Sequence, residues 1–375
     1  MKPTPLKLIA LFFMFVGGAF WLASCGSGGG GTASTPQSGT VGLFMTDDAS
    51  TFQQVAAVIN SVALVNSSDG SSCSVLSTPV SMNLSDLSNV VQLINTTTCP
   101  AANYNRLQLV FSNAVGVTNS GGISNACAFT SYRTAHNGTP NALSCSGNNC
   151  TLDITGAVNV LASQDNQVGL DFVLKDFDVN GFGTSACTVT MRVSPLDAAG
   201  MNSLGYTSGI AGPVTAFNAN SVTMAAGGKN FIVNTSAQGQ SNFQNLMSFA
   251  RQNGFSAMAN CTSFNFNAGT CTASQVQTIV AGTVSSLDNA ASTFALGLSN
   301  GSSINVDFSQ AAASGQMKGQ LQNNQTAVLK LSGVGGNGIY NATEVQSRAG
   351  MGAMGNMPSG GGMTGGMPGG GTPMM

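Results

Sequence analysis

Val168-Gly-Leu170-Asp-Phe172-Val-Leu174 and Cys187-Thr-Val189-Thr-Met191-Arg-Val193 alternate apolar and polar residues with a period of two. That period places alternate side chains on opposite faces of an extended chain, as in a half-buried β-strand. The same alternation appears in Val41-Gly-Leu43-Phe-Met45, Val55 to Val65, Leu107-Gln-Leu109-Val-Phe111 and Leu152-Asp-Ile154, each bounded by Gly, Asn, Ser or Asp clusters. Short strands at such spacings predict an antiparallel β-sandwich over residues 40–197, with one weak helical stretch near Asp86 to Ile94.

Composition narrows the function classes. The 375 residues include only 11 Lys and Arg and 13 Asp and Glu, 6% charged against roughly a quarter in an average soluble protein. So few cations leave no basic surface to neutralise phosphates, which argues against a nucleic-acid partner. With 42% apolar residues and 20 Phe, the chain has the material for a folded core. Its single His (His136), single Glu (Glu344) and single Trp (Trp21) exclude any mechanism that needs a His cluster or a Glu pair.

Lys2 and Lys7 precede an apolar run from Leu8 to Leu22, interrupted by Gly17 and Gly18 and shorter than a spanning helix requires. It reads as a secretory signal, residues 1–24. The run ends in Leu22-Ala23-Ser24-Cys25, which resembles the bacterial lipobox. That resemblance implies lipidation of Cys25, cleavage before it and anchoring to a membrane; two or three acyl chains hold firmly where one is marginal. Gly26 is not the Asp that retains Gram-negative lipoproteins at the inner membrane, so the expected address is the outer membrane, facing the periplasm or the surface. Residues 25–39 are a Gly/Ser-rich tether.

Removing Cys25 leaves Cys73, Cys99, Cys127, Cys145, Cys150, Cys187, Cys261 and Cys271. An even number in an exported chain implies disulfides. Neighbour pairing suggests 73 with 99, 145 with 150 and 261 with 271, leaving 127 with 187. The spacings fit no zinc site.

Residues 40–197 also resemble a family of unnamed function found just after the lipoprotein signal in bacterial envelope proteins. Its first strand runs into a Thr-Asp-Ala-Pro-like corner; here the stretch is Leu43-Phe-Met-Thr46-Asp47-Asp48-Ala49-Ser50, with a second Asp and a Ser in place of Ala and Pro. An Asp-Leu segment (Asp86-Leu87), a Tyr-x-Arg-Leu strand entry (Tyr104, Arg106, Leu107) and an Asp-Phe strand (Asp171-Phe172) match the family in outline. The resemblance implies a β-sandwich-like envelope domain and brings no established chemistry.

The second half echoes itself. Gly212-Pro-Val214-Thr-Ala-Phe217-Asn218 precedes Phe231-Ile-Val233-Asn234, and Gly282-Thr-Val284-Ser-Ser-Leu287-Asp288 precedes Ile304-Asn-Val306-Asp307. Two units, 210–280 and 281–347, resemble small β-barrel-like modules of bacterial lipoproteins; one irregular sheet is the alternative. The first carries an insertion in which Phe243, Leu246, Met247 and Ala250 have helical spacing and Gly254 ends the helix. Residues 348–375 are a Met/Gly-rich tail without hydrophobic period, expected to be disordered.

Candidate chemistry is sparse. A hydrolytic triad would have to be built around His136 in a solvated loop. Asp176, Asp178 and Asn180 before Gly181 match the first half of a calcium loop, but Cys187 stands where the bidentate Glu belongs; Asp47 and Asp48 could add ligands. The tail thioethers Met351, Met354, Met357, Met363 and Met367 suit Cu(I). The leading expectation is a non-catalytic envelope lipoprotein binding other proteins or glycans, or serving a structural role. A metal-handling lipoprotein and a hydrolase with an unrecognised Asp site are the alternatives.

Overall fold

In the computed structural model residues 37–48, 52–235 and 240–347 are described. Cys25, the 1–24 signal, nearly all of the tether and the tail methionines lie outside them. Among the described residues the fold is mainly β, with 63% in strands and three short helices.

The sandwich is built on Ser38–Asp47, which pairs antiparallel with Val90–Pro100 and parallel with Asp165–Phe172. The facing sheet runs from Asn149–Val160 through Ala102–Ser112, Gln54–Val65 and Ala114–Thr118 to Ser124–Arg133. Thr188–Asp197 belongs to both layers: its first half runs parallel to Ser124–Arg133 and its second half antiparallel to Asp165–Phe172. The sandwich is therefore antiparallel apart from two parallel pairings. Val41, Leu43 and Met45 point into its core with Leu64, Leu109, Phe111, Val189 and Met191.

The opposite face of the same sheet is buried too. Phe44, Val91 and Leu93 enter a second core with Phe231 and Phe266. Phe44 meets Phe266 edge-on at 5.6 Å. Gly42 is bare because a Cβ there would sit 2.5 Å from the Phe266 ring. Lys229 Nζ lies 4.7 Å from that ring's centre and 3.2 Å from Asp165, tying this end of the second core to the sandwich.

This double burial corrects one expectation. Asp86 to Ile94 is not helical: a 3-10 turn, Leu84–Leu87, is followed by the strand Val90–Pro100. Val91 and Leu93 face one core and Ile94 the other, and the intervening Gln92 is itself buried, so the run lacks the exposed alternate positions of a half-buried strand.

Beyond the sandwich, Thr207–Phe217 pairs with Ser221–Ala226, which pairs with Lys229–Thr235. The last runs parallel to the start of Thr270–Asp288, which pairs with Ser256–Asn265, and that strand returns to Thr207–Phe217. Five strands thus close a ring. The end of Thr270–Asp288 opens a second ring through Thr293–Gly297, Ser303–Asp307, Tyr340–Ser347 and Thr326–Val334 with the same order and the same single parallel pairing. One 19-residue strand serves both.

Each ring carries a helix at the equivalent place. Gln240–Asn253 buries Phe243, Leu246, Met247 and Ala250, and Gly254 follows at φ +68°, a left-handed conformation that glycine tolerates. In the second ring the helix shrinks to Ser309–Ala313, burying Ala311. The disulfides are Cys73–Cys99, Cys127–Cys187, Cys145–Cys150 and Cys261–Cys271, the neighbour pairing with its remainder.

Candidate functional site

Ring strands turn alternate residues outward, and those of Thr326–Val334 and Tyr340–Ser347 face the sandwich. Leu329 and Leu331 fill the ring, whereas Val328 and Lys330 point away from it. Lys330 and Glu344 are cross-strand partners in register, which favours an opposite-charge pair. Opposite them the 3-10 turn presents Asp86, held by Asn83, whose Nδ2 donates to Asp86 Oδ1 at 2.9 Å and whose Oδ1 accepts from the Ser85 N–H.

Four charged side chains meet there, including the only glutamate of the chain. Glu344 accepts from Lys318 at 3.0 Å through one oxygen and from Lys330 at 2.7 Å through the other. Lys318 also pairs with Asp86, and Lys330 lies 4.0 Å from it. Gln346 Nε2 donates to Asp86 and to Glu344, both at 2.6 Å. Burial pushes the Asp86 carboxyl up, but the charges of Lys330 and Lys318 and the hydrogen bonds of Lys318 and Gln346 outweigh it and hold the pKa at about 2. Burial likewise works against the charged form of both lysines, and the carboxylates of Asp86 and Glu344 override it, raising both above the usual lysine value.

Behind this quartet lies a cavity of about 120 Å³ between sandwich and rings. Its apolar wall comes from Val80, Met82 and Ile94 on one side and Met258, Ile279 and Val328 on the other. Asp86, Lys330 and Glu344 also line the outer cleft, beside Phe52, Gln53 and Lys318. The charged groups therefore stand between the apolar chamber and the cleft.

A second cluster sits where the first strand ends. Asp47 is fully buried; its Oδ1 accepts from the Leu174 N–H at 3.0 Å, and its Oδ2 has no partner among the described residues. Burial, with Asp48 and Asp171 nearby, raises Asp47 to about 9 against that hydrogen bond, and Asp171 is raised to about 6 by burial and Asp48. Asp48 pairs with Lys175 at 2.6 Å. Perturbed carboxylates mark functional sites only when a substrate can reach them, and Asp47 is sealed from solvent.

The calcium-loop residues are placed differently from a ligand set. Asp176, its side chain 2% exposed, holds Arg192 and His136 Nδ1, each at 2.5 Å. Asp178 pairs with Arg133, and Asn180 is exposed on a short strand. Guanidinium groups thus occupy both carboxylates. Among the described residues no group of three or more His, Cys, Asp or Glu is arranged to hold a metal ion. His136 keeps a 63% exposed ring, as its loop implies, while anchored to a buried acid that local spacing did not reveal.

The architecture defines an all-β, disulfide-crosslinked scaffold with a lined cavity at its internal junction. Residues 38–184 match the family described as Domain of unknown function (DUF4382). The Thr46-Asp47 corner, Asp86-Leu87, the Tyr104 entry and Asp171-Phe172 all fall inside that match. No curated protein matches the chain.

Proposed function

We propose that the chain is an exported envelope protein, lipid-anchored at Cys25 to the outer membrane, that acts as a non-catalytic binding or structural module. Four disulfides carry the reading, because such crosslinks persist in oxidising compartments and are rare in the cytosol. The lipobox-like Leu22-Ala23-Ser24-Cys25 supplies the anchor, and the scarcity of charge supplies a neutral Asn/Ser/Thr-rich surface whose contacts depend little on salt. A non-catalytic role is supported by the disposition of the charged groups: the cavity quartet is engaged in ion pairs, and the most perturbed carboxyl, Asp47, is buried. The partners expected are the membrane through the anchor, and envelope proteins or glycans through the body.

Detergent phase partitioning tests the anchor. The native chain is expected in the detergent phase and the Cys25→Ala variant in the aqueous phase. Partitioning of Cys25→Ala into detergent contradicts the proposal.

A further inference from the structure

We propose that the junction cavity binds a small zwitterion bearing an apolar side chain, of the class of free hydrophobic amino acids; this rests on the binding-module reading above. The argument starts from charge. Lys318, Lys330, Asp86 and Glu344 cancel, so a lone anion entering the cleft meets two carboxylates and a lone cation meets two ammonium groups. A ligand carrying both signs a few ångströms apart finds a partner for each.

The quartet retains capacity for such a ligand. Lys330 has three N–H donors, one carboxylate oxygen at 2.7 Å and the next only at 4.0 Å, so it is under-used for a side chain so well buried. It can turn a donor to a ligand carboxylate while remaining paired with Glu344. The lone pairs that Asp86 and Glu344 keep can receive a ligand ammonium. Side-chain amides of Gln92 and Gln346 border the same space.

Size and lining set the rest of the ligand. A cavity of about 120 Å³ walled by Val80, Met82, Ile94, Met258, Ile279 and Val328 suits one apolar side chain. Dry apolar cavities of about 150 Å³ accept a benzene-sized body. The site also lies at an internal junction, where small-molecule pockets tend to form.

Titration calorimetry on the full chain with L-leucine and L-methionine tests this. Three controls each remove one element: leucinamide lacks the carboxylate, 4-methylpentanoate lacks the ammonium, and glycine lacks the side chain. A dissociation constant below about 1 mM is expected for the two amino acids, with each control at least about tenfold weaker. Glu344→Gln should weaken binding by a similar factor. Ala211→Leu fills the chamber without touching the quartet and should abolish binding while the chain stays folded, so the test survives if Glu344→Gln fails to fold. The inference is overturned by absence of binding up to about 10 mM, by controls that bind as well as leucine, or by Ala211→Leu binding unchanged. Detergent partitioning is read independently, so a correctly anchored chain that binds no amino acid sinks this inference alone.

Discussion

Lys318 and Asp86 lie 232 residues apart in the chain and form an ion pair that joins the second ring to the turn beneath the sandwich. Both are largely withdrawn from water, so removing one leaves the other's charge with fewer partners. Asp86→Ala is expected to cost roughly 3–5 kcal/mol, the range for breaking a buried pair. Replacing the quartet together by apolar residues of similar volume is expected to cost much less than Asp86→Ala alone. Urea unfolding measures both.

Strand positions were readable because a half-buried strand writes its period into a few consecutive residues, as Leu107 to Phe111 and Cys187 to Val193 do. The helix carrying Phe243, Leu246, Met247 and Ala250 was readable for the same reason at a different period. Val90 to Ile94 was not, because both faces of that strand are buried, Gln92 included, and Leu87, Val90, Val91 and Ile94 fall at helical spacing. The cavity quartet is spread over residues 86, 318, 330 and 344, so no local spacing announces it. The one available signal was Glu344, the only glutamate in a chain nearly free of charge. Likewise nothing near His136 points to Asp176, 40 residues away and brought to it by the fold.

Acid and alkali should act on different parts of the molecule. Asp47 and Asp171 hold their protons more tightly when folded, at about 9 and about 6 against 3.8. Their favourable contribution is complete below about pH 4 and fades as pH rises through those values. Asp86 behaves oppositely: its contribution is present above about pH 4 and is lost as pH falls toward 2. Asp47→Asn mimics the protonated acid and keeps an acceptor for the Leu174 N–H. Its stability relative to the native chain should be near zero at pH 4 and exceed about 1 kcal/mol at pH 8, one pKa unit being about 1.4 kcal/mol. Denaturant unfolding at the two pH values reads this directly.

Loop length should rank the disulfides. Cys127 and Cys187 are separated by 60 residues, Cys145 and Cys150 by 5. The chain-entropy relation gives about 4 kcal/mol for the first and about 2 for the second. Paired Cys→Ala variants should follow that order in unfolding midpoint.

Gly42 lies under the Phe266 ring, where a Cβ has no room. Gly42→Ala should destabilise by about 1–3 kcal/mol through overpacking, and Gly42→Ala with Phe266→Leu should recover part of that loss. A double-mutant cycle by thermal unfolding gives the coupling.

The central claim is an oxidised β-body tethered outside the cytoplasm through one modified sulfur. Intact mass measurement after alkylation, on protein taken from both the membrane and soluble fractions of its native cells, tests it most directly. The account predicts an acylated N-terminus at Cys25 and eight other cysteines that take up alkylating reagent only after reduction. A soluble chain beginning at Met1, with those eight thiols free to react at once, would contradict it.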